Sequence, residues 1–180
     1  AGPGVGWGWA SATGAETISV DQNIRQDFRE FYEHLNAVEV EFEWFIEYVW
    51  FPSFGNLHKA QDGYSYVSKT GKPLEDWPKG MTVIADASAD PFYTDLSKMG
   101  PIYHARHGMG KWDGKPIADN VSGLLLMLCN WYDAQKDLGD ALYPDPTDPV
   151  INDRVYTVFR DKCAADGINP QHIANVMTSC

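Results

Sequence analysis

The sequence predicts an α+β fold on three observations. An amphipathic helical stretch stands near the start, a run of short apolar or alternating segments fills the middle, and helical patterns close the chain. The first 15 residues are rich in Gly, Ala and Ser and read as a flexible lead-in, onto whose neighbouring body Trp7 and Trp9 are expected to dock. Residues 16–180 read as one domain. From Asp21, a candidate N-cap, Ile24, Phe28, Phe31, Leu35 and Val38 recur at helical spacing.

The period then changes to two. Val38, Val40, Phe42, Trp44, Ile46, Tyr48 and Trp50 alternate with Glu39, Glu41, Glu43, Phe45, Glu47 and Val49. This predicts one half-buried strand with an apolar face and a glutamate face. Glycines and prolines punctuate the next 30 residues around a short strand at Tyr64–Ser68. Met81–Ala85 reads as a buried strand, followed by Phe92–Leu96 and Ile102–Arg106 with a turn at Gly100-Pro101. A helix from about Asn120 to Leu138 is apolar at Val121, Leu124, Leu125, Leu128 and Tyr132. A proline-rich connector over 140–150 leads to helices at Asp153–Ala165 and Pro170–Thr178, split by Gly167.

Charge excludes whole classes of partner. The 180 residues hold 25 Asp+Glu against 14 Lys+Arg, a net charge of -11. Such a chain is repelled by phosphate backbones and anionic membranes, so neither nucleic acid nor membrane is an expected partner. More than half of the excess lies in residues 21–50, while residues 51–120 balance eight acids with eight bases. No apolar run approaches the roughly 18–20 residues that cross a bilayer. The opening residues lack the basic and apolar regions of an intact signal peptide. The three cysteines, Cys129, Cys163 and Cys180, are odd in number and form no CxxC pair, which favours a reducing cytoplasm over a disulfide framework.

Catalytic chemistry is hard to assemble. His104 and His107 are three apart, which in a strand puts them on opposite faces, so no metal site is expected there. No GxSxG elbow is present, and Cys129 reads as inert core on the apolar helix. Asp86, Asp90 and Asp95 flank a strand turn, where Asp90-Pro91 is turn chemistry. The glutamate row is different. Like charges two residues apart on one strand face repel, and strands disfavour Glu. Glu39, Glu41, Glu43 and Glu47, extended by Asp137, Asp140 and Asp145, are therefore the candidate binding residues for a basic partner.

The segment from Trp77 to Leu125 resembles the SUKH superfamily. The matching pieces are Val83, Ile84 and Ala85; Asp90, Pro91, Phe92, Asp95 and Leu96; Pro101, Ile102 and Tyr103; His107, Gly108, Gly110 and Trp112; and Ile117, Ala118, Val121 and Leu125. The last 45 residues hold no matching motif. The resemblance implies a mixed, mainly antiparallel sheet of about five to six strands flanked by helices. It also implies a cytoplasmic immunity protein that binds and occludes a cognate secreted toxin, often a nuclease delivered by contact-dependent or type VI secretion. Such a protein is no enzyme and needs no cofactor. The alternatives are a regulatory or scaffold module, as in fungal cell-wall assembly regulators, and a hydrolase using His104 and His107. The motif residues read as structural: Asp90-Pro91 shapes a turn, His107-Gly108 a strand exit, and Phe92 and Trp112 fill core.

Overall fold

Alternation and helical periodicity sort the apolar side chains onto one face of each element, and the tertiary structure closes those faces on each other. The computed structural model describes residues 24–35, 39–45, 47–67, 69–143 and 150–179. The lead-in, Asp21, Val38, the 144–149 connector and Cys180 lie outside them. Strands are numbered along the chain. A six-stranded sheet runs in the order β1 (Val40–Trp44), β2 (Glu47–Phe51), β5 (Thr82–Ala87), β6 (Asp90–Thr94), β7 (Ile102–His104) and β8 (Lys115–Ala118). All its neighbouring pairs are antiparallel. A small ribbon of β3 (Tyr66–Val67) and β4 (Lys72–Pro73) lies in the β2–β5 connection. The helices among the described residues are α1 (Gln26–Leu35), α2 (Val121–Leu138), α3 (Arg154–Ala165) and α4 (Pro170–Ser179). The α+β class holds, with the main sheet antiparallel throughout.

The predicted single strand over 38–50 is instead a hairpin. Trp44 pairs with Glu47 and the chain reverses through Phe45, while Ile46 lies outside the described residues. Phe45 and Val49, the two residues that interrupt the predicted glutamate face, are both buried, one in the turn and one on the core side of β2. Phe45 takes φ +55°, a conformation that bulky residues rarely adopt. Packing offsets that strain. Its ring stacks on Trp131 at 4.2 Å and on Tyr156 at 5.8 Å, docking the turn onto α2 and α3.

The helices cover one sheet face. There Phe28, Trp44, Phe51, Phe92, Trp131 and Phe159 belong to one core. On α2 the buried stripe is Val121, Leu124, Leu128, Trp131 and Gln135, and Asn120 Oδ1 caps the helix by accepting the Gly123 N–H at 2.9 Å. Tyr132, predicted on that stripe, is 41% exposed, because Trp131 completes the 3, 4, 3, 4 spacing in its place. Cys129, predicted to be core, is exposed for the same rotational reason.

Arg25 fastens α1 to the sheet. Its guanidinium donates to Asp27 Oδ1 and Oδ2, to Thr94 Oγ1 and to the Gly100 carbonyl. Asp27 Oδ2 also accepts the Val121 N–H at 3.3 Å. The Arg25 side chain is 2% exposed, so this pair is nearly dry.

The other sheet face holds a smaller aromatic cluster of Tyr64, Trp77, Val83 and Tyr93, with Trp50, Tyr103 and Trp112 at its margin. Trp112 is therefore half-buried in this second cluster, away from the main core. The strand β8, which the sequence pattern does not announce, borders this region. At Gly114, just before it, an added Cβ would lie 2.5 Å from Tyr93 Oη and 2.8 Å from the His104 carbonyl oxygen.

Candidate functional site

A two-residue turn decides which residues of the hairpin share a face. Cross-strand partners point the same way, and here each even position of β1 opposes an odd position of β2. Val40, Phe42 and Trp44 therefore share the core side with Phe51, Val49 and Glu47. Glu41 and Glu43 share the outer side with Trp50 and Tyr48. The predicted row of four glutamates is thus broken. Glu47 lies half-buried on the opposite face from Glu41 and Glu43, which are both exposed. Glu39 is exposed just before β1 and accepts the Asn56 side-chain amide. Repulsion between like charges along one face therefore involves fewer glutamates than expected. Each outer glutamate faces an aromatic ring across the strand pair, and Tyr48 is 64% exposed.

Gln135 connects this hairpin to α2, its Nε2 donating to Glu43 Oε1 at 3.0 Å. That contact brings the last turn of α2, with Asp137, to the neighbourhood of Glu43. Asp137 is committed elsewhere, since Lys162 Nζ lies 2.9 Å from its Oδ2. Asp140 is exposed in the short 3-10 turn Gly139–Leu142 that follows α2. Asp145 lies outside the described residues. The candidate site that the structure assembles is therefore Glu39, Glu41 and Glu43 with Tyr48 and Trp50. Sequence reasoning misses the aromatic pair, because one continuous strand puts both residues on the buried face. The signal that separates the readings is the turn.

The rival chemistry separates in space. His104 is buried and packs at 4.5 Å centroid distance on Phe92, and neither ring nitrogen has a hydrogen-bond partner. Burial pulls its pKa down to about 4. His107 is exposed, and its Nδ1 lies 2.6 Å from Asp90 Oδ1, the oxygen that also accepts the His107 backbone N–H. Asp90 thereby staples the start of β6 to the exit of β7. Asp86 accepts the Tyr64 hydroxyl and the Ala89 N–H, which closes the β5–β6 turn. Hydrogen bonds from Lys98 and Ser97 hold the Asp95 carboxyl down to about 2. Each of these aspartates has a bonding role in a turn. Burial pushes the Cys163 thiol up to about 12, and partial desolvation with Asp133 nearby raises Cys129 as well, which disfavours the thiolate at both.

Among the described residues, no three His, Cys, Asp or Glu side chains gather as metal ligands. Two shallow cavities of about 230 and 180 Å³ occur. The first lies against Arg106, Lys111 and Trp112, the second against Asp119, Asn120 and His172. Neither lining sets a Ser, Thr or Cys nucleophile beside a base. Among the described residues, no helix is long and apolar enough to cross a membrane. Compared with family models, with curated proteins and with solved structures, the chain matches none.

Proposed function

We propose that this chain is a non-enzymatic binding protein of the immunity type. It occludes a basic cognate toxin inside the producing cell through the outer face of the β1–β2 hairpin. The observation that supports this most is the pairing of two exposed glutamates with Tyr48 and Trp50 on one side of an edge hairpin. Carboxylates select a basic surface and speed encounter, and aromatic rings supply contact area and seats for Lys or Arg. The sequence offers no competing cation, for no Lys or Arg lies between Arg29 and Lys59. The resemblance of residues 77–125 to the SUKH superfamily supports the same reading. Its two pieces around Asp90 and His107 bond directly to each other.

Calorimetric titration of the product of an adjacent toxin gene tests the proposal. A complex with Kd below about 1 µM that weakens with salt is expected. No complex at that concentration sinks it, and an adjacent cell-wall gene with no toxin gene would favour a regulatory module instead. Reversing Glu39, Glu41 and Glu43 to Lys, with Glu47 on the core side left unchanged, reads the surface separately. Unchanged affinity there removes the hairpin face while leaving the function standing.

A further inference from the structure

β1 ends the sheet, and among the described residues no strand lies on its outer side. Its backbone is not uniform along that edge. The two-residue turn requires Trp44 and Glu47 to exchange backbone hydrogen bonds, and exchange alternates from there to Phe42–Val49 and Val40–Phe51. Glu41 and Glu43 fall between these pairs. Their N–H and C=O groups point away from β2, into the open edge. The residues with outward backbone groups are thus the two outer glutamates.

We propose that this edge takes up an extended segment of the partner as a seventh strand, and that the segment reads basic–apolar–basic. The proposal rests on the reading of the hairpin as a binding face and deepens it by specifying the partner's chemistry. Side chains of a paired strand lie directly opposite their neighbours, about 5 Å away. Lys or Arg opposite Glu41 and Glu43 would meet carboxylates and the rings of Trp50 and Tyr48 behind them. Between them, an apolar residue would fall on the opposite side, beside Phe42, which is only half-buried at the edge. The alternation is symmetrical, so the pattern holds whichever way the segment runs. Gln135 engages Oε1 of Glu43 and leaves the second oxygen for an incoming cation. A second copy of this chain is a poor occupant, because β1 against β1 sets glutamates against glutamates. The same charges blunt the edge against self-pairing.

The test uses the intact chain and three capped eight-residue peptides, read by amide hydrogen exchange. One alternates Lys and Val, one alternates Glu and Val, and one is the Lys–Val peptide N-methylated at every residue, so that neither edge can donate to β1. At about 1 mM, near the dissociation constant of a short strand, the Lys–Val peptide should slow exchange at Glu41 and Glu43 by about twofold or more. The other two should not. Equal protection by the N-methylated peptide would show charge docking without strand addition and overturn the proposal. So would absence of protection by the Lys–Val peptide. Protection that rises with protein concentration alone would assign the edge to a second copy, again overturning it. In the Glu41→Lys/Glu43→Lys variant, checked for an unchanged circular dichroism spectrum, the preference should switch to the Glu–Val peptide. Retained Lys–Val preference counts against the proposal. A toxin that binds without protecting Glu41 and Glu43 would refute strand addition and leave the proposed function intact.

Discussion

The region from Trp77 to Leu125 and the hairpin from Glu39 to Phe51 use polar residues in opposite ways. In the first, polar groups are bonded to one another. Asp90 closes on His107, Gly114 donates to Tyr93 Oη, and Trp77 Nε1 donates to the Met81 carbonyl. In the second, Glu41 and Glu43 are exposed, Glu43 accepting one hydrogen bond from Gln135, on a strand whose outer edge is open among the described residues. Both regions fold by the same apolar alternation, so the difference lies in what the polar residues are left to do. Where they are used up holding turns, substitution should cost stability. Where they are left exposed, substitution should cost association. Stability and binding measured on the same variants separate the two.

The largest loss should come from the clasp that ties α1 to the centre. Asp27→Ala leaves the Arg25 guanidinium buried without its carboxylate, and urea denaturation should show a loss of about 3–5 kcal/mol. A loss under about 1 kcal/mol would mean that water reaches Arg25 freely.

Acid should act next, through His104. Above pH 6.5 the ring is neutral in folded and unfolded chains, so it adds no pH dependence. As pH falls from about 6.5 to about 4, the unfolded chain takes up a proton that the folded chain refuses. Each pH unit crossed in that window costs about 1.4 kcal/mol, so stability drops by about 3 kcal/mol over the whole of it. The difference in stability between the native chain and His104→Phe, followed over that range, isolates this contribution from the carboxylates. A difference that stays flat would place the ring in water.

Gly114→Ala should cost about 1–3 kcal/mol, because the new methyl meets Tyr93 Oη and the His104 carbonyl within contact distance. A thermal midpoint unchanged within error would show that the β8 lead-in yields easily. The smallest stability effect belongs to the hairpin. Glu41→Gln/Glu43→Gln should change unfolding free energy by less than about 0.5 kcal/mol while slowing association with a basic partner at low salt. A large loss of stability there would make these glutamates structural and erase the contrast.

Much of the fold is legible in the residues, for reasons that particular elements show. The spacing Val121, Leu124, Leu128 names α2, and the run of β-branched residues at Thr82, Val83 and Ile84 names β5, because burial of one face imposes those periods. The strand β8 escapes because Lys115–Ala118 is four residues long with a proline, too short for alternation to speak. Periodicity misplaces Cys129 and Tyr132 by one helical position, since Trp131 and Tyr132 are both aromatic and only packing chooses between them. For the candidate site, the glutamates are visible as residues and invisible as a face.

By itself, the sequence determined the α+β class, the neutral centre and the concentration of acid in residues 21–50, because composition and period need no partner to be read. Tertiary structure decided that Glu47–Phe51 folds back to pair with Val40–Trp44. Nothing local favours Phe45 at positive φ; the turn forms where Trp131 and Tyr156 receive its ring. That turn reverses the parity of every residue after it. It sends Glu47 to one side and brings Tyr48 and Trp50 beside Glu43 and Glu41, a consequence of long-range packing that no count along the chain contains.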